Sequence, residues 1–332
     1  MNIIRTHDIT LYGGTDEHSI ILRPLSDEHL PLLYKWNADP EILYWTEGGK
    51  DVKMSYDEET VHDIYGGASQ NAFCFLVEVN GKPIGECWIH KMNLPQVLAM
   101  YPDNKDVRRI DIAIGEKTMW GRGIGTMFMA MLADFAFNGE HVDVLHCIHE
   151  DYNIRSRRIC EKNGFTLILS EELPQPQKGK LQHHWRLTRR EYIELRREHI
   201  PADDIFELPL AELQPSQLYI SEGKLRLAKQ WFDETDGASF DPIPIKRLGG
   251  KNVMTDGHTR AALAVINGRK TAPCCYETAE LDWVAYAENV RWCEAENVLS
   301  PFDLALRAVP HKAYEELWRR RCCEARSALG AR

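Results

Sequence analysis

A chain of 332 residues, 44% apolar and 27% charged, has the composition of a folded soluble protein and the length for two domains. Its formal charge of −10 argues against a surface built for phosphate backbones, so no nucleic-acid partner is expected, and it suits a cationic substrate. No apolar run approaches the roughly 20 residues that span a bilayer, and Met1 to Asp8 carry no basic segment ahead of an apolar core, so neither membrane insertion nor secretion is expected.

Nine cysteines, among them the adjacent pairs Cys274–Cys275 and Cys322–Cys323, suit reduced thiols in a cytoplasmic protein better than a bridged framework. There is no Cys-x-x-Cys, no metal site is expected, and His183–His184 reads as an exposed strand pair.

In chain order, Leu22 to Leu25 read as a strand, with Ser26 capping a helix that continues to Trp36. Ala72 to Val79 run into Asn80-Gly81, the strongest short hairpin signal, and then into a strand from Pro83 to Ile89. Arg109 to Ile114 form another strand. After a glycine-rich turn, Phe128, Met131, Leu132 and Phe135 fall on one face of a helix that Gly139 can end. A strand from Val142 to Ile148 and a short helix between Asn153 and Gly164 follow. Trp185 to Thr188 close the block as its last strand. A charged stretch, 191–203, reads as a solvated linker helix between a first domain of residues 1–190 and a second of 204–332. The order of elements predicts an α+β fold: a mixed, mostly antiparallel sheet flanked by helices, followed by a second, smaller α+β domain.

The most informative segment is Trp120-Gly121-Arg122-Gly123-Ile124-Gly125-Thr126, between a strand and an amphipathic helix. Glycines let a backbone approach a ligand closely, and the amides of a helix start favour a pyrophosphate. A Rossmann fingerprint is excluded by the missing third glycine and by the strands ahead of the turn, and a P-loop by the absent Gly-Lys-Ser/Thr. A coenzyme A turn and a tight turn with no ligand remain.

Together with Ile110-Asp-Ile-Ala-Ile-Gly-Glu just before it, this segment resembles the acetyl-CoA site of the GNAT acetyltransferases. Within them it is most similar to the aminoglycoside 6′-N-acetyltransferases. Leu33-Tyr-Lys-Trp with Leu43-Tyr-Trp-Thr-Glu, Asn80-Gly-Lys-Pro-Ile-Gly, and Asn153 to Phe165 resemble further parts of that group, so the likeness covers roughly residues 20–190. It implies acetyl transfer from acetyl-CoA to the primary amine of a small cationic acceptor. Trp120, Gly121, Arg122, Gly123, Ile124, Gly125 and Thr126 would anchor the cofactor, with Ile112, Ala113 and Ile114 lending backbone groups to the pantetheine arm and the oxyanion, and Asn153 as a cap and second contact. Asp111 matches the catalytic aspartate; the plainer reading is an ion pair with Arg108 or Arg109. Trp36, Tyr44, Trp45 and Glu47 would receive the acceptor through cation–π contacts and charge-assisted hydrogen bonds. Asp51, Asp57, Glu58, Glu59 and Asp63 read as a solvated helix face. The tyrosine that many relatives use to protonate the departing thiolate is matched by Cys160, which reads as a small buried hydrophobe. The general acid is unassigned.

Ile205 to Pro215, Pro242 to Lys246, Met254 to Ala264 and Glu288-Asn-Val-Arg resemble the ParB/sulfiredoxin-like fold over about residues 204–308. That likeness implies a nucleotide-phosphate site at Asp256, Gly257, His258, Thr259 and Arg260, with Glu288, Asn289 and Arg291 beside it. Glu222 and Asp256 would serve as acid/base residues of a small-molecule kinase-like module. A degenerate, assembling domain is the other reading. The alternative function is acetylation of another amine, such as a polyamine, peptide or metabolite, fused to such a nucleotide-binding module.

Overall fold

The computed structural model describes residues 2–15, 17–47, 55–175, 177–195, 201–234 and 241–330. Two compact units emerge: Met1–Leu195 with Ser327–Arg332, and Arg196–Arg326.

In the first unit eight strands form one sheet: β1 (Leu11–Gly14), β2 (Ser19–Pro24), β3 (Ala72–Val79), β4 (Lys82–Lys91), β5 (Val107–Ile114), β6 (Val144–Glu150), β7 (Thr166–Glu172) and β8 (Leu181–Thr188). Their order is β1-β2-β3-β4-β5-β6-β8-β7, antiparallel except for the β5–β6 pair. The centre of β3 is buried on both faces through Cys74, Phe75, Leu76 and Val77, as expected of a strand covered on both sides. Asn80 (φ 50) and Gly81 (φ 74) turn the β3–β4 hairpin in the left-handed region, which explains the Asn-Gly pair.

Helices cover the sheet: α1 (Leu30–Asn37), α2 (Pro40–Thr46), α3 (Glu58–Ala68), α4 (Pro95–Leu98), α5 (Ile124–Asp134), α6 (Ile154–Lys162) and α7 (Arg189–Glu194). Ser26 does not cap α1 directly. It accompanies a 3₁₀ turn, Asp27–His29, where its amide donates to His29 Nδ1 at 3.1 Å, and α1 starts after that turn. The amphipathic helix after the glycine turn runs on as a π-helical turn, Phe135–Gly139, and the next strand begins at Val144, two residues later than the apolar run suggested. Asp57 is the N-cap of α3, accepting from Thr60 N at 2.8 Å, and Glu58, Glu59 and Asp63 are exposed. Asp51 lies outside the described residues.

The histidine pair is a correction. His184 is fully buried in β8 with Nε2 2.9 Å from Glu171, while His183 faces Ser170 at 2.9 Å. β8 lies between β6 and β7, and His184 is on a covered face of it. The charged stretch forms α7 from Arg189 and is capped by Thr188; residues 196–200 of the expected linker helix lie outside the described residues, and Ala202–Asp204 is a 3₁₀ turn.

The second unit has a five-stranded mixed sheet of β9 (Phe206–Pro209), β10 (Leu213–Gln214), β12 (Ile243–Leu248), β13 (Lys251–Met254) and β14 (Thr271–Tyr276), in the order β10-β13-β12-β14-β9. A small pair, β11 (Ile220–Ser221) with β15 (Ala308–Val309), stands apart from it. The main helices are α8 (Glu222–Glu234), α9 (His258–Ile266), α10 (Trp283–Ala295) and α11 (Pro301–Ala305). Ile243, Ile245, Met254, Ala261, Ala264 and Cys274 fill the core between the sheet and α9.

Candidate active site

The site starts from a change in pairing. β5 is hydrogen-bonded to β4 from Arg108 to Ile114, but its parallel register with β6 covers only Val107, Arg108 and Arg109. Past Arg109 the two strands diverge, and the β6 side of β5 has no strand partner there. Backbone groups so released must find another partner or a ligand. Two spaces open at this split: a cavity of about 380 Å³ and a groove of about 490 Å³. They share Ile112, Ala113, Asn153, Ser156 and Ile159 in their walls, so a molecule in one meets a molecule in the other there.

The groove runs along the glycine turn. Gly121 (φ 74) and Gly123 (φ 77) hold left-handed backbone, and Gly123 is the N-cap of α5 with no side chain over the first amides. At Gly125 an added Cβ would come 2.8 Å from Ile159 Cδ1, so the glycine is what lets α5 and α6 approach. Ile112, Ala113, Ile114, Trp120, Gly121, Gly123, Ile124, Gly125, Thr126 and Asn153 all line the groove; Arg122 is exposed and outside the wall. Trp120 donates its indole N–H to Ile114 O at 2.7 Å, which removes that carbonyl from the groups expected to face a pantetheine arm. Asn153 is also engaged at both ends, accepting from Ser156 N at 3.1 Å and donating to Trp45 O at 2.8 Å. Arg155, which sequence reading missed, lies between two indoles, 4.4 Å from the Trp45 ring and 4.2 Å from that of Trp120.

The cavity holds the carboxyl groups. Asp111 Oδ2 is 2.8 Å from His90 Nε2, and Oδ1 accepts from Arg109 at 3.0 and 2.7 Å. Burial alone would raise its pKa. The His90 hydrogen bond and the Arg109 charge outweigh that and hold it below the ordinary aspartate value. The ion pair with Arg109 and a place in the cavity wall are therefore both features of one residue.

Glu86, also missed in the sequence, lies opposite Ala113 in the β4–β5 ladder and is 6% exposed in the cavity wall. Tyr65 donates to it at 3.3 Å, and the Trp88 indole N–H bonds its other oxygen. Burial, then the charge of Asp111, push its pKa well above the ordinary glutamate range. Cys147, His149 and Cys160 also line the cavity. The Cys160 thiol is drawn down to about 6, first by Cys147 and then, against burial, by His149; Cys147 is pushed up by the same contact. Cys160 is buried as its sequence setting suggested, and these contacts bias its thiol as well. None of this was legible in a single strand, since it depends on register between β4 and β5 and on packing of α6 over β6.

The expected acceptor residues divide. Trp45 and Glu47 line the cavity. Trp36 reaches its wall but is 3% exposed, and its indole N–H is held by Glu116 at 2.9 Å. Tyr44 lies outside the wall, 45% exposed, with Lys178 Nζ 4.5 Å from its ring and 4.5 Å from that of Tyr152. Tyr152 donates to Tyr44 O at 3.0 Å and Glu47 O at 3.3 Å.

In the second unit, Gly257 (φ 76) begins α9, and His258 is buried with Nε2 3.1 Å from Ser216 N. Burial pushes His258 down to about 4. Arg260 donates to Pro242 O at 3.3 Å and lies 3.8 Å from the exposed Asp256. Thr259 is half-buried. Glu288 and Arg291 pair with each other at 2.8 Å on α10, beside Asn289; Tyr286 of the same helix donates to Thr255 O at 2.9 Å, next to the turn.

A split sheet, a glycine turn at a helix start and a carboxyl-lined cavity joined to that turn make up a GNAT-like fold, and residues 19–166 match the family model for the acetyltransferase (GNAT) domain, which supports an N-acetyltransferase. This N-terminal part resembles the aminoglycoside 6′-N-acetyltransferases. Aminoglycoside N(6′)-acetyltransferase type 1 of Klebsiella pneumoniae and that of Serratia marcescens are each 26% identical to it over 152 residues, covering 44% of this chain and 74% of the relative. Among solved structures, an aminoglycoside acetyltransferase in complex with ribostamycin and coenzyme A is similar with a TM-score of 0.44 and 22% identity, over 54% of this chain and 99% of that one. A GNAT-family acetyltransferase from Bacillus anthracis has a TM-score of 0.41 and 13% identity, over 57% and 98% of the two chains. Among the described residues no helix is long and apolar enough to cross a membrane.

Proposed function

We propose that this chain transfers the acetyl group of acetyl-CoA to a primary amine of a small cationic acceptor of the aminoglycoside class. The observation that carries the reading is the Asp111 carboxylate, fixed by His90 and Arg109 in a cavity that shares Ala113 and Asn153 with the glycine-turn groove. In this reading the amides of the turn from Arg122 to Thr126 hold the pyrophosphate, and the freed backbone of Ile112 and Ala113 stabilises the oxyanion. Asp111 receives the ammonium and takes its proton, while Trp45 and Glu47 position the rest of the cation.

Relatives named as aminoglycoside acetyltransferases support the acceptor class. For the second unit we infer a nucleotide-phosphate site at residues 256–260, supported by the left-handed Gly257 at the start of α9 and by Arg260 three residues on. Thiol release from acetyl-CoA, measured against kanamycin-type aminoglycosides, polyamines, amino acids and short peptides, tests the main reading. Turnover with an aminoglycoside at half-saturation within about 1 μM to 1 mM is expected. Silence with aminoglycosides but turnover with another amine would keep acetyl transfer and discard the acceptor class.

A further inference from the structure

The wall of the cavity that holds Asp111 also carries a cysteine for which acetyl transfer to an amine has no stated use. Cys160, on α6, lines the cavity next to Ile159, which lines both the groove and the cavity. The residue is 1% exposed and free. Two partners on β6 act on it, Cys147 and His149. His149 is 9% exposed in the same wall. Its Nδ1 lies 3.0 Å from Glu150 O, and its buried Nε2 has no nitrogen or oxygen partner. The Cys147 thiol is itself oriented, donating to Ile110 O at 3.6 Å. Charged groups around the pair are Asp111 and Arg109 from β5 and Glu161 from α6.

Cys147 and, against burial, His149 draw this thiol down to about 6, which favours the thiolate at neutral pH and makes it a poor proton donor to the departing coenzyme A. A thiolate in this place is a nucleophile.

We propose that Cys160 is an acyl-accepting site, S-acetylated by acetyl-CoA bound in the groove. This rests on the acetyl-CoA reading above and adds an acetyl carrier to it. The Cys160 sulfur attacks the thioester carbonyl carbon, a new Sγ–carbonyl bond forms and the bond to the coenzyme A sulfur breaks. Negative charge passes from one sulfur to the other, so no proton, oxidant or reductant is consumed. One thioester replaces another, and the acetyl group on Cys160 faces the cavity in which Asp111 and Glu86 stand.

The test is mass analysis of the full chain after incubation with acetyl-CoA and no amine, alongside a separate measurement of coenzyme A binding. One acetyl group per chain is expected, mapped to Cys160, released by neutral hydroxylamine and matched by one coenzyme A thiol set free. Cys160→Ser should bind coenzyme A and gain no acetyl group at that position, and Cys160→Ala should do the same if the serine variant misfolds. In the native chain, acetyl-CoA should protect Cys160 from iodoacetamide. Coenzyme A binding without an adduct, or an adduct confined to Cys147 or a lysine, overturns the proposal while leaving the acetyl-CoA reading intact. Absence of coenzyme A binding overturns both.

Discussion

His90 and Asp111 are diagonal neighbours across the β4–β5 ladder, with Nε2 and Oδ2 2.8 Å apart on one face of the sheet. With Arg109 on the other oxygen at 2.7 Å, the carboxylate is fixed in orientation and kept ionised. A carboxylate so held binds an ammonium strongly and takes its proton only as the amine attacks.

Asp111→Asn is nearly isosteric and removes the charge alone. Turnover at neutral pH should fall by about 10²–10⁴-fold, the usual range for loss of a general base. Equilibrium binding of acetyl-CoA should change little, because Asp111 lines the cavity and not the groove. Steady-state rates beside a binding titration check this, and unchanged turnover would remove Asp111 from the role of base.

Glu86 gives a prediction of opposite sign on stability. Its folded-state pKa is raised by burial and by Asp111, so the stability it contributes is present below the ordinary glutamate value of about 4.3 and is lost as pH rises towards the folded value. Glu86→Gln keeps an oxygen and an amide for Trp88 and Tyr65 but does not titrate. Denaturation midpoints of the native chain should therefore decline relative to Glu86→Gln as pH rises above about 4.3. A constant difference across pH would mean that Glu86 is not held protonated by its surroundings.

What the sequence made legible was local. The Asn80-Gly81 hairpin, the left-handed glycines ahead of α5 and the Asn153 cap depend on residues next to each other, and single-residue conformational demands place them. Asp111 could be placed by resemblance. Glu86 and His90 could not, because their role comes from which β5 residue each faces, a register set by the whole sheet. The lowering of the Cys160 thiol was hidden for the same reason: it comes from Cys147 and His149, on a different element. The buried His184 was misread because period-two alternation says which residues share a face and not whether that face is covered.

Gly123 separates backbone strain from ligand contact. A Cβ there meets nothing within 4 Å, so in the unliganded chain Gly123→Ala costs only the left-handed conformation at φ 77, about 1–2 kcal/mol. Gly123→Val adds a branched side chain in the line of a ligand's approach. Far-ultraviolet circular dichroism should stay native-like for both, whereas acetyl-CoA affinity should fall modestly for alanine and by more than tenfold for valine. Equal affinities for the two variants would show that no ligand passes close to this glycine.

Lys178 already occupies an aromatic seat of the kind expected for a cationic acceptor. Its ammonium lies 4.5 Å from the rings of Tyr44 and Tyr152 and donates to Tyr44 O at 2.5 Å and Glu47 O at 2.8 Å. Burial holds its pKa below the ordinary lysine value, as for an ammonium that has given up part of its hydration. An incoming ammonium would compete with it for the same ring faces and carbonyl oxygens. Lys178→Met keeps the length of the side chain and its apolar stem but removes the charge. Cation–π contacts at exposed sites contribute about 0.5–1 kcal/mol, so KM for the acceptor should fall by roughly two- to fivefold. The turnover number and KM for acetyl-CoA should not change, since neither the cofactor groove nor Asp111 touches Lys178. A raised acceptor KM would instead make Lys178 a part of the wall that supports Tyr44 and not a competitor of the substrate.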